Sequence, residues 1–121
     1  MYGLNRDVDL SFLTGREVIQ VAVGTYQVQF HFDEDVNISV EGEFKYFDGK
    51  DETTWSAKPE SAHVAARTVA LLGAVIEGYK ACYESGTLEL NFSHGHRLTI
   101  PDSSKEYESY SITRPGFNLY V

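Results

Sequence analysis

The chain has 121 residues, 42% hydrophobic and 23% charged, which suits one domain over 1–121 whose core needs no staples, with residues 1–10 read as flexible. Its net charge of −8 argues against nonspecific nucleic-acid binding, because phosphates require a basic stripe. No apolar run approaches the ~20 residues of a membrane-spanning helix, the first residues are not a signal peptide, and a lone cysteine, Cys82, implies no oxidising compartment, so the expected setting is the cytoplasm.

In chain order, Gly24 to Phe30 alternates apolar and polar residues, as a half-buried strand does. Asp33-Glu34-Asp35 supplies a turn. From Val36 to Phe47 one long strand is predicted, with Val36, Ile38, Val40, Phe44 and Tyr46 facing the core and Glu41, Glu43, Lys45 and Phe47 facing water. Asp48-Gly49 ends it, and 48–58 has loop composition. Pro59 then suits the first turn of a helix over about 60–72, with Val64, Ala65, Thr68, Val69 and Leu72 as its apolar stripe and Gly73 as its stop. Val75 to Tyr83 reads as a strand, with Gly78 marking a bulge or a close approach and Cys82 buried and inert. Gly86 to Phe92 and Leu98 to Ile100 form a second hairpin around His94-Gly95, and Tyr107 to Ile112 and Phe117 to Val121 are two closing strands.

Two of these stretches repeat each other. Gly24-Thr25-Tyr26-Gln27-Val28-Gln29-Phe30 aligns with Gly86-Thr87-Leu88-Glu89-Leu90-Asn91-Phe92, and Leu13 to Val18 echoes Leu71 to Ile76. The fold class expected is therefore α+β: a curved antiparallel sheet of about 7–8 strands built from two meander-like repeats, packed by one helix.

Eight of the 18 acids fall between residues 33 and 52, answered there only by Lys45 and Lys50. Clustered carboxylates repel one another, whereas a basic partner can use both their field and neighbouring rings. Phe47 and Trp55 are the exposed-aromatic candidates for anchors, with Glu41, Glu43, Asp48, Asp51 and Glu52 steering. Asp33-Glu34-Asp35 lacks the spaced oxygens and central glycine of a calcium loop. His94-Gly95-His96 has no third metal ligand at a recognisable spacing, so neither metal nor cofactor is expected. No catalytic set emerges: there is no phosphate loop, nucleophile elbow or Cys-x-x-Cys.

The layout Leu-x-Gly-x-x-Val, then Gly86 to Asp102, then Tyr107-Glu108-Ser109-Tyr110 resembles a family of small uncharacterised bacterial cytosolic proteins. Members are often encoded singly or beside toxin genes, and some are suspected immunity proteins. The resemblance rests on turn glycines and strand hydrophobes, so it carries no site residue across. It implies the fold, and it joins with the charge in an expected function: a non-enzymatic acidic module that binds a basic protein, such as a toxin. The alternative is a small-molecule binder or enzyme using the interior of the curved sheet, lined by Tyr26, His31, Tyr79 and Tyr83. A homodimer through the Tyr107–Val121 edge is compatible with either.

Overall fold

A computed structural model describes residues 4–103 and 108–121; the predicted strand start at Tyr107 lies outside them. The class is α+β, with ten strands among the described residues, one short helix, and two five-stranded antiparallel sheets not closed into a barrel. The first repeat supplies β1 (Val18–Val23), β2 (Val28–Phe32), β3 (Asn37–Val40), β4 (Glu43–Phe47) and β5 (Glu52–Ser56). After helix α1 (Ala62–Arg67), the second supplies β6 (Ile76–Cys82), β7 (Thr87–Phe92), β8 (Arg97–Ile100), β9 (Tyr110–Arg114) and β10 (Phe117–Tyr120).

The two repeats exchange their last hairpins. One sheet runs β1-β2-β3-β9-β10 and the other β5-β4-β8-β7-β6, so β4–β5 completes the second meander and β9–β10 completes the first. The predicted single strand from Val36 to Phe47 is thereby cut in two. At Glu41-Gly42 the chain crosses between sheets, and both N–H groups donate to the Ser109 carbonyl, at 2.9 and 3.0 Å. Gly42 sits close to the neighbouring segment: a Cβ there would stand 2.6 Å from Ser103 Oγ, which would have to turn away. Alternation hides this crossing, because Val40 and Phe44 keep the same parity on either side of it.

Backbone bonds at the starts of β1 and β6 are reciprocal. Gly15 N–H donates to Ile76 C=O (2.8 Å) and Gly73 N–H to Val18 C=O (2.9 Å). Val18 N–H donates to Ala74 C=O and Ile76 N–H to Arg16 C=O, both at 2.9 Å. Side chains repeat the pattern: Glu17 N–H donates to Asp33 Oδ1 and Val75 N–H to Ser93 Oγ. Strand register then corrects the repeat alignment. Phe32 pairs with Val18 and Phe92 with Ile76, so Phe92 answers Phe32, and Leu90 answers Phe30. The face is preserved, but the pairing slips by one pleat.

Between the sheets lies one core to which both contribute. Phe30 on β2 meets Phe44 on β4 edge-on at 5.6 Å, and Phe44 stacks on Trp55 of β5 at 5.2 Å. Trp55 is fully buried. Its expected role as an exposed anchor is thus overturned: residues 52–56, read as loop, form a strand whose pairing of Trp55 with Phe44 turns the indole inward. Tyr110, also buried, donates its hydroxyl to the Gly86 carbonyl at 2.7 Å and ties β9 to the β6–β7 turn.

The helical segment is tighter than expected. Only 62–67 are α-helical, flanked by 3-10 turns at Pro59–Ser61 and Thr68–Leu71. With about three residues per 3-10 turn, Leu71 falls in line with Thr68 and Ala65, and these three are buried. Val69 and Leu72, expected in the stripe, are 46% and 48% exposed. The bulge between Ile76 and Gly78 is present, and it flips strand parity. Ile76, Tyr79 and Ala81 therefore all pack on the core, while Cys82 is exposed rather than buried, its thiol lowered by hydrogen bonding to Ser85.

Trp55 is the sole tryptophan, so its surroundings are directly readable. Native fluorescence should be blue-shifted and insensitive to iodide, and Trp55→Ala should lower unfolding stability by about 3–5 kcal/mol in denaturant titration. Emission typical of a solvated indole would contradict the buried strand.

Candidate functional site

Beyond Asp33-Glu34-Asp35 in the β2–β3 turn, the acids of the stretch divide between the sheet crossing and the two ends of the β4–β5 hairpin. Glu41 sits at the sheet crossing, beside Gln27. Glu43 opens β4 opposite Ser56 and is half-buried. Asp48 and Asp51 belong to the four-residue turn between β4 and β5. These acids do not converge on one point; Phe47, Glu52, Asp48 and Asp51 share the turn end of the β4–β5 hairpin, with Glu43 at its other end.

Phe47 is half-buried on the outer face, where register places Glu52 on one side and Arg97 on the other. The Arg97 guanidinium lies 4.9 Å over the ring and 3.9 Å from the Glu52 carboxylate. A cation thus covers one aromatic and faces one acid, leaving Phe47 partly accessible.

Asp48 is a builder of its turn. Its Oδ1 accepts the N–H groups of Lys50 and Asp51 at 2.9 and 2.8 Å, and Oδ2 accepts from Arg67 at 3.0 Å. The two backbone donors, then Arg67, hold its carboxyl below the usual range. Arg16 likewise answers Asp33 at 3.5 Å.

Beside the turn, Tyr46 and His96 stack with ring centroids 5.8 Å apart, and the Tyr46 hydroxyl is 2.7 Å from His96 Nδ1. Burial and the nearby Asp48 charge raise the Tyr46 phenol above its ordinary value. His94 is exposed at a positive φ of 62°. Among the described residues, no group of three His, Cys, Asp or Glu is gathered closely enough to hold a metal ion, and no helix is long and apolar enough to cross a membrane.

The residues proposed to line a sheet interior are not together. Tyr79 and Tyr83 lie on and just after β6, whereas Tyr26 lies in the β1–β2 turn and His31 on β2. The space between the sheets holds packed side chains; clefts open instead at the β1–β2 turn, where the first sheet meets the segment after β5, and on the outer face of the first sheet. One of about 540 Å³ is bordered by Tyr26, Gln27, Glu41 and Ala57. Another, of about 340 Å³, is bordered by Gln27, Gln29, His31, Asn37, Ser39 and Ser111, among others. Sequence reading missed the smaller cleft because it depends on β9 lying beside β3, a neighbour set by the hairpin exchange.

The Asp48 contacts make a signed pH prediction. A carboxyl depressed in the folded state contributes stability above its unfolded value of about 3.9, lost as pH falls through the lower folded value. Asp48→Ala should therefore be less stable than wild type at neutral pH, with the gap narrowing below about pH 4. Asp48→Asn, which keeps the turn acceptor, should fall between them in urea midpoints. A gap independent of pH would mean that the charge adds nothing.

No curated protein and no solved structure matches the chain. A family model does match, over residues 10–121, spanning every strand described above. The chain belongs to that family, a family of unknown function designated DUF6188.

Proposed function

We propose that this protein is a non-enzymatic binding module whose acidic hairpin end recognises a basic protein. The observation that carries the reading is the row Glu52–Phe47–Arg97 running into the Asp48–Asp51 turn: a partly open ring bordered by carboxylates, on a rigid hairpin rather than a loose loop. A net charge of −8 supports it by accelerating encounter with a cationic surface. Following the resemblance carried by the Gly86–Asp102 motif, the partner class we favour is a bacterial toxin, with this chain as its cytoplasmic immunity protein acting by steric occlusion.

Because Trp55 is buried and Asp48 holds its turn, the site residues are revised. Phe47 is the anchor, and Glu43, Asp51 and Glu52 steer, with Glu41 peripheral on the other sheet. The test uses immobilised protein and lysate of the source cells at low and high salt, followed by kinetics on the captured species. A basic protein should be retained at low salt, and Glu43→Gln/Asp51→Asn/Glu52→Gln should slow its association about tenfold while flattening the salt dependence. Phe47→Ala should act chiefly on dissociation. Equal association rates for wild type and the triple variant would remove this surface from consideration.

A further inference from the structure

The exchanged hairpins give the molecule an internal control, because the two outer faces are built on the same strand plan. Register matches each position of one face with its counterpart on the other. On the second sheet five of the outward positions are charged: Lys45, Glu52, Lys80, Glu89 and Arg97, beside neutral ones such as Phe47, Thr54 and Thr99. Their counterparts on the first sheet are Ser111, Asn118, Ala22, Gln29 and Asn37. All five charges are replaced by neutral groups, four of them hydrogen-bonding. A merely solvated sheet face needs no such neutrality; charged residues are the usual guard against sheet pairing and aggregation, and the twin face carries them.

From this contrast, the cleft on that face and the one adjoining it at the β1–β2 turn, we propose that the outer face of the β1-β2-β3-β9-β10 sheet binds an uncharged polyhydroxylated ligand, of the saccharide class. This site is separate from the acidic hairpin end and does not depend on that reading. Amides and hydroxyls both donate and accept, as each sugar hydroxyl does. Among the residues bordering the two clefts the only acid is Glu41, and neither Lys nor Arg borders them. A phosphate or carboxylate ligand would call for such cations.

The polar groups are also held in place. Asn37 bonds His31 Nδ1 through its Oδ1 and donates from Nδ2 to the Asp35 carbonyl at 3.3 Å. Ser39 Oγ donates to Gln27 Oε1 at 3.4 Å. Side chains already fixed lose less freedom on binding. Tyr26, 65% exposed at the border of the larger cleft, offers a ring face to the apolar C–H side of a pyranose. The cleft volumes, about 340 and 540 Å³, fall in the range of small-ligand sites.

The test is a titration of the full, isotopically labelled chain with maltose, cellobiose and N,N′-diacetylchitobiose, followed by amide NMR shifts. Glucuronate and a neutral tripeptide amide serve as controls. At least one disaccharide should give saturable shifts at Gln29, Ser39 and Ser111. Gln29→Glu/Ser111→Lys, which installs the charges its twin sheet tolerates, should weaken binding about tenfold or more with the fold intact by amide dispersion. Glu89→Gln on the twin face should leave affinity unchanged. The proposal is overturned if no disaccharide gives saturable shifts, if shifts map to the second sheet, if the double variant binds as well as wild type, or if a control binds more tightly.

Discussion

Everything else in this structure depends on the exchange between its two repeats. Each three-stranded meander is completed by the other's terminal hairpin, and the starts of β1 and β6 are joined by reciprocal backbone bonds. An isolated meander would leave β3 or β8 as an open edge, an unfavourable end for a small sheet. The core enforces the same dependence. Phe30 belongs to one sheet, Phe44 and Trp55 to the other, and all three come from the first half of the chain. The first repeat must therefore contribute to both sheets before its own aromatics can pack.

A core shared in this way constrains inward residues far more than outward ones. Changing a buried side chain costs its transfer energy plus a cavity, whereas exposed ion pairs contribute little to stability. The two outer faces are consequently free to differ while the sheets beneath them stay alike. One carries Lys45, Glu89 and Arg97; the other carries Ser111, Gln29 and Asn37 at the matching positions. The acidic hairpin end belongs to the charged sheet and the amide- and hydroxyl-lined cleft to the other, so two chemically different surfaces share one scaffold.

Much of this was legible in the chain because period-two alternation reports burial directly. Val36, Ile38, Val40, Phe44 and Tyr46 all face inward, and Glu43, Lys45 and Phe47 lie on the outer side. The repeat was visible too, although equal spacing of apolar residues on both sides made a one-pleat slip undetectable without strand pairing. Three features were hidden for physical reasons. Parity carries across Glu41-Gly42, so nothing marks the change of sheet. Asp48 to Lys58 is polar enough to resemble a loop, yet Thr53, Thr54 and Trp55 suit a strand once β4 lies alongside. The helix ends in a 3-10 turn, which rotates Val69 and Leu72 outward from the stripe an α-helical spacing would give them.

The interlocking itself is most directly tested by native-state hydrogen exchange across a range of low denaturant concentrations. If each hairpin is integral to the opposite sheet, the ladder-bonded amides of β4 and β9 will exchange only through global unfolding, with the same free energy and denaturant dependence as those of β2 and β7. A lower-energy opening confined to the β4–β5 or β9–β10 hairpin, leaving the meanders protected, would contradict the mutual dependence of the two repeats.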